Sequence, residues 1–180
     1  MRHLRITLVV ATALLLPALP CLAAGASAAG AAPASTAVLA SFEGGTIDLA
    51  NGWGNAHACI VQSPTTAECF ATRAQLAAAA ASLGVIPDTS CGSGALELFQ
   101  DTDYGGNELL IPSPYNQWID LDGYDFGDQT KSWSNTLSCG AYATKSDNGT
   151  GTELSMPAKS ESASMPSGWA DAINAVEIVS

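Results

Sequence analysis

Positive charge is scarce in this chain. Six Lys and Arg face seventeen Asp and Glu, giving a formal net charge of −11. From Cys91 onward thirteen acids meet three lysines, Lys131, Lys145 and Lys159. Such a surface repels phosphate backbones and anionic headgroups, which argues against nucleic acid and membrane surfaces as partners. It suits cations, basic protein surfaces, or solubility alone. Histidine is nearly missing too: beyond His3 there is only His57. A Ser-His-Asp or Cys-His centre would have to use it, beside a cysteine expected to be oxidised. There is no His-Glu-x-x-His, no Gly-x-Ser-x-Gly and no Cys-x-x-Cys, so the common hydrolase and zinc signatures are excluded. Abundant carboxylates leave an acid-pair glycosidase as one catalytic alternative. A domain this small implies no deep cleft, and the expectation is that the protein is not an enzyme.

Long apolar runs are also lacking. Ile6 to Leu16 follows Arg2, His3 and Arg5 and is too short for a membrane span. With the Ala26-Ser27-Ala28 cleavage signal, or its competitor Ala24-Gly25-Ala26, it reads as a secretory signal. Cys21 follows a poor lipobox, Ala18-Leu19-Pro20. The expectation is a secreted protein, with signal peptide 1–28, flexible Ala/Gly/Ser/Pro leader 29–37, N-terminal extension 38–90 and C-terminal domain 91–180. What remains after cleavage suits a single domain, or a small domain with an ordered extension, able to bury roughly two-thirds of its unfolded surface.

Removing Cys21 leaves Cys59, Cys69, Cys91 and Cys139. An even count in an exported chain predicts two disulfides. Of three pairings, Cys59–Cys69 and Cys91–Cys139 are favoured because each brackets one apparent structural unit. In the extension, Thr46-Ile47-Asp48-Leu49 and Ala58-Cys59-Ile60-Val61 read as short strands. Thr72 to Leu83 reads as an Ala-rich helix with Thr72 as N-cap, Gly84 as stop and Pro87 beyond. With few large apolar residues, this region is expected to pack on its neighbour.

The C-terminal domain carries a weak repeat. Gly106-Asn107-Glu108-Leu109-Leu110-Ile111-Pro112 aligns with Gly151-Thr152-Glu153-Leu154-Ser155-Met156-Pro157. Phe126-Gly127-Asp128 through Trp133 aligns with Trp169-Ala170-Asp171 through Val176. A period of about 45 residues built from short strands predicts two four-stranded units that bury their apolar faces against each other as a β-sandwich. The most informative stretch is Leu96 to Gly106, where Phe99, Tyr104 and Gly106 follow an aromatic, four residues, aromatic, one residue, glycine spacing. The glycine permits a folded-back hairpin, and the aromatics cover it.

That spacing resembles the first hairpin of a βγ-crystallin Greek key, and secreted proteins of this kind resemble the metalloproteinase-inhibitor family built on that fold. The second repeat lacks the aromatic pair: Thr144 and Gly149 stand where Phe99 and Tyr104 sit. The resemblance implies a mainly β, two-Greek-key sandwich with a small N-terminal α/β extension containing one helix. It implies a calcium signature at Gly127-Asp128-Gln129-Thr130-Lys131-Ser132, degraded by glycine in the first position and lysine in the fifth, and again at Ala170 to Ala175. Each site then draws on the facing hairpin. Asp171 and Asn174 are expected to meet Asp101 and Asp103 without a lysine. Asp128 and Ser132 are expected to meet Ser146 to Asn148, beside Lys145. The alternative is that Asp128, Asp171 and Ser132 serve only the turns. Asp120, Asp122, Asp125 and Asp128 read as a solvated acidic loop, and Asp147-Asn148-Gly149 as a turn inside a glycosylation triplet, Asn148-Gly149-Thr150.

The resemblance implies a non-catalytic, monomeric peptidase inhibitor with an extracellular protease as partner. Its contact loop would be either Pro112 to Trp118 or the disulfide-bracketed Gln62 to Glu68. A calcium-binding or structural module of the cell exterior is the alternative, with calcium as cofactor. Third is a carbohydrate-binding module using Trp118 and Tyr115, because Trp133 and Trp169 fall in strand regions and read as core; Trp53 is the fourth tryptophan.

Overall fold

A computed structural model describes residues 36–82, 90–112 and 115–180. The signal segment, the leader up to residue 35, and the helix stop at Gly84 and Pro87 lie outside these. Among the described residues no helix is long and apolar enough to cross a membrane.

Among the described residues the C-terminal domain holds eight strands in two sets of four. The first set is β5 (Leu96–Phe99), β6 (Glu108–Ile111), β7 (Ile119–Asp120) and β8 (Ser132–Asn135). The second is β9 (Gly140–Thr144), β10 (Glu153–Met156), β11 (Ser160–Ser162) and β12 (Ala175–Val179). Each set lends its third strand to the other. One sheet runs β6-β5-β8-β11 and the other β10-β9-β12-β7, so both read second, first, fourth, then the partner's third. This exchange is why neither repeat closes alone, and it gives the two-Greek-key sandwich that the duplicated pattern predicts. Leu96, Leu98, Leu109, Ile111 and Trp133 face Ala141, Ala143, Met156, Val176 and Ile178 across one core.

The N-terminal extension continues the first sheet. Its strands β1 (Leu39–Phe42), β2 (Gly45–Asp48), β3 (Ala58–Ser63) and β4 (Thr66–Phe70) add the order β3-β4-β1-β2 beyond β6, with β3 parallel to β6. Helix α1 (Arg73–Ser82) covers the outer face, where Leu76 packs with Ala58, Ile60, Ala95 and Leu110. Strand β3 is therefore buried on both faces, which accounts for its unbroken apolar run. Thr72 caps the helix reciprocally: the Gln75 N–H donates to Thr72 Oγ1 at 3.2 Å and the Thr72 N–H to Gln75 Oε1 at 3.1 Å. Trp53 enters the inter-sheet core, and its Nε1–H donates to the Tyr124 carbonyl at 2.6 Å.

Both favoured disulfides are present. Cys59 and Cys69 face each other across β3 and β4, and Cys91 joins Cys139 just before β9.

Candidate functional site

The first hairpin is built as its spacing predicts. The Phe99 and Tyr104 rings meet edge to face at 5.6 Å. Gly106 takes φ +71°, and a Cβ there would crowd Asp101 N and Gln100 Cβ at 3.0 Å. Ser132 locks the hairpin from beneath: its Oγ donates to the Asp101 carbonyl at 2.6 Å and accepts the Tyr104 N–H at 3.1 Å. The signature serine thus works inside the fold. Arg73 of α1 clasps the same hairpin from outside. Its guanidinium lies 4.9 Å from the Phe99 ring centre, donates to the Tyr104 carbonyl and to the Gly106 carbonyl at 2.7 Å, and pairs with Glu108 at 3.4 Å. Burial, reinforced by the neighbouring Glu97, raises the Glu108 carboxyl to about 7 against the pull of Arg73. Burial likewise raises Glu97, against a hydrogen bond from Ser134.

The two repeats meet along a near-symmetric seam. The Asp128 N–H donates to the Ile173 carbonyl at 3.0 Å and the Asp171 N–H to the Thr130 carbonyl at 3.1 Å. Lys131 N–H reaches Phe99 and Asn174 N–H reaches Thr144, at 2.9 and 2.8 Å. These bonds set the second residue of each signature run against the fourth residue of the other, and the side chains brought together there correct the expected grouping. Asp101 and Asp171 do come together, but Lys131 joins them, its Nζ 3.8 Å from Asp101 and 3.7 Å from Asp171. An ammonium therefore sits among the carboxylates that were expected to meet without one. Asp103 turns the hairpin with φ +55° and donates its N–H to Ala163 at 2.8 Å.

Asn174 belongs to the other half of the seam. Its Nδ2 donates to the Lys145 carbonyl at 3.2 Å, while its Oδ1 is buried without a hydrogen-bond partner. That oxygen and the Asp122 carboxylate converge over Gly127, where a Cβ would lie 2.9 Å from Asn174 Oδ1 and inside the Asp122 carboxylate. Glycine in the first signature position, read above as a degraded ligand, makes room for them. Partial burial raises the Asp122 carboxyl, and Asp147, Asp120 and Asp128 add to it. Lys145 points elsewhere, donating to the Gly168 carbonyl at 2.6 Å with its ammonium 5.0 Å from the Trp169 ring centre. Asp122 is a residue that the motif argument missed as a site member. Among the described residues no three His, Cys, Asp or Glu side chains form a metal-binding group. A cation here would lean on the Asn174 amide oxygen and Asp122.

The second hairpin replaces its missing parts from elsewhere. Where the first uses Ser132, Thr144 Oγ1 donates to the Ser146 carbonyl at 2.9 Å. Where the first has Tyr104, Gly149 (φ +77°) lies under the indole of Trp118, which a Cβ would enter. Trp118 is thus half-buried as hairpin cover, a correction to its expected exposure. Tyr115 is half-buried as well, its hydroxyl donating to the Val61 carbonyl at 3.2 Å. Neither offers the open platform that a sugar ring needs. Trp133 is core as read, and Trp169 is half-buried under Lys145.

Of the two contact loops, Pro112 to Trp118 includes residues 113–114, outside the described set. The β3–β4 hairpin is tied throughout. The Cys59–Cys69 bond closes its base. Gln62 Nε2 donates to Glu68 at 3.1 Å, Ser63 Oγ meets Thr66 Oγ1 at 2.7 Å, and the Tyr124 hydroxyl donates to the Ser63 carbonyl at 2.8 Å. His57 Nδ1 is 2.9 Å from Asn107 Oδ1, and its neighbour Cys59 is oxidised, so no nucleophile–base pair forms around it.

No family model matches the sequence, and no curated protein matches it either. Solved structures similar to the chain include a βγ-crystallin from Ciona intestinalis, at 20% identity over 48% of this chain and 100% of that one, with TM-score 0.40. A βγ-crystallin domain from Clostridium beijerinckii matches at 20% identity over 47% and 97%, with TM-score 0.41. The N-terminal domain of protein S matches at 12% identity over 48% and 97%, with TM-score 0.40. The likeness is one of fold, and none of these names is that of a proteinase inhibitor. The strand exchange itself defines the class: a mainly β protein of two Greek keys with one helix.

Proposed function

We propose that this protein is a secreted, non-catalytic module that works by protein contact, as inhibitor of an extracellular peptidase of the kind the metalloproteinase-inhibitor family blocks. The observation that supports this reading is the β3–β4 hairpin. Its tip is exposed at Thr65 and Thr66 while a disulfide, three side-chain bonds and the Tyr115 hydroxyl hold its shape. A contact loop fixed before binding loses little entropy on docking, which is how interfaces of ordinary size become tight. The two disulfides suit the oxidising exterior. Titration against thermolysin-like enzymes is the test, with stoichiometric loss of activity expected. Full activity across a metallo- and serine-protease panel at about micromolar protein overturns the proposal.

A second reading, a calcium-binding module, is favoured by the buried, unpartnered Asn174 oxygen beside Asp122. Calcium favours carboxylate and amide oxygens. Its ligand set would be Asn174, Asp122 and neighbouring oxygens, not the Asp101–Asp171 pair that Lys131 neutralises. Ligand bound to the native state raises the melting temperature. An unchanged melting temperature at about millimolar calcium removes this reading.

A further inference from the structure

We propose that Asn148 is a site of spontaneous covalent modification, which deamidates through a succinimide because the second hairpin activates its side-chain amide. The sequence has two Asn-Gly steps, Asn51-Gly52 and Asn148-Gly149. Glycine favours this reaction, since no Cβ hinders attack by its nitrogen on the preceding side chain. The fold treats the two steps oppositely. Asn148 is exposed in the β9–β10 turn, and its Oδ1 accepts the Thr150 hydroxyl at 2.8 Å and the Thr150 N–H at 3.2 Å. Its Nδ2 has no hydrogen bond among the described residues. The Gly149 N–H is held by a long bond to the Ser146 carbonyl, 3.3 Å. Asn51 is exposed too, but it ends a short 3-10 turn, Leu49–Asn51. Its Nδ2 donates to Asp48 Oδ2 at 2.9 Å, and no donor reaches its Oδ1 among the described residues. The Gly52 N–H is bound to the Leu49 carbonyl at 2.9 Å.

In the reaction the Gly149 nitrogen gives its proton to a solvent base and bonds to Asn148 Cγ. Negative charge builds on Oδ1, where the two Thr150 donors stabilise it. The Cγ–Nδ2 bond then breaks, and the nitrogen leaves as ammonia with a proton from water. Water reopens the five-membered ring at either carbonyl, giving aspartate or isoaspartate. Each product carries one new carboxylate, and nothing is oxidised or reduced. At Asn51 the bond to Asp48 has the opposite effect, because it feeds electron density into the amide and holds the leaving nitrogen. The isoaspartate product lengthens the main chain by one carbon just before Gly149, the glycine packed under the Trp118 indole. Either product erases the Asn148-Gly149-Thr150 glycosylation triplet.

This inference is independent of the inhibitor and calcium readings. The test is peptide mapping by mass spectrometry of the folded, full-length secreted protein, aged for weeks in neutral buffer, with isoaspartate resolved from aspartate. Asn51 is the internal control. Asn148 should convert at least about tenfold faster than Asn51. In reduced protein unfolded in urea, the two rates should come within about threefold of each other, because the difference belongs to the fold. Thr150→Val keeps the side-chain shape and removes the hydroxyl donor. It should slow Asn148 at least about threefold and leave Asn51 unchanged. An Asn148 no faster than Asn51 in the folded protein, a ratio that persists in urea, or a Thr150→Val protein that deamidates at the parent's rate would each overturn the proposal.

Discussion

Lys131 changes the charge balance of the site it enters. Its ammonium stands between Asp101 and Asp171. All three side chains are more than a third exposed, so the pairs add little to stability, within about 1 kcal/mol. Lys131→Ser should therefore leave the metal-free melting temperature nearly unchanged. It should add a calcium-dependent rise larger than the parent's, because two carboxylates then lack a counter-charge. If calcium moves both proteins equally, the lysine is not occupying a cation's place. Gly149 is constrained by a neighbour instead. A Cβ there enters the Trp118 indole, and the backbone is left-handed at φ +77°. Gly149→Ala should cost about 2–3 kcal/mol in chemical denaturation. Gly149→Ala should cost less when made in a Trp118→Ala background, since the clash is then absent and only the backbone strain remains.

At the scale of elements, the β3–β4 hairpin is where rigidity and proposed function coincide. Replacing Cys59 and Cys69 by Ser should cost about 3 kcal/mol on the chain-entropy model for a ten-residue separation. If the hairpin is the contact loop, inhibition should weaken by more than the loss of folded protein explains; unchanged inhibition by the folded fraction would move the contact elsewhere. Which elements the sequence reveals follows from the range of the forces that make them. Phe99, Tyr104 and Gly106 are legible because their hairpin is closed by neighbours in the chain. Helix α1 is legible from its alanines and its Thr72 cap. Strands β1 and β4 are harder to see, since their inward residues, Ala40, Ala67 and Cys69, are small and give a faint alternation. Trp118 over Gly149 and Asp122 beside Asn174 are contacts across distant segments that no local pattern encodes. The partner of Lys131 depends on which side of the seam each run faces, which the strand exchange decides.

For the whole molecule, the extension and the Greek keys are joined through a charged contact buried beneath a helix. Glu108 is 6% exposed under Arg73, with Glu97 beside it on the outer face of the first sheet. Glu161 of β11 and Ser134 of β8 continue that face. One arginine does not offset the burial and mutual repulsion of two carboxylates, and both rise above the ordinary value, Glu108 to about 7. A carboxyl raised by folding binds its proton more tightly in the native chain than in the unfolded one. Its contribution to stability is complete below about 4.5, the unfolded value, and is lost as pH climbs through about 7. The protein should therefore be more stable near pH 5 than near pH 8, by at most about 3 kcal/mol from Glu108. Glu108→Gln keeps an acceptor for Arg73 while removing the titration. It should flatten most of that slope and raise stability at pH 8, measured by denaturant unfolding across the range. A slope of the opposite sign, or one untouched by Glu108→Gln, would mean that the arginine clasp, not burial, governs this carboxylate.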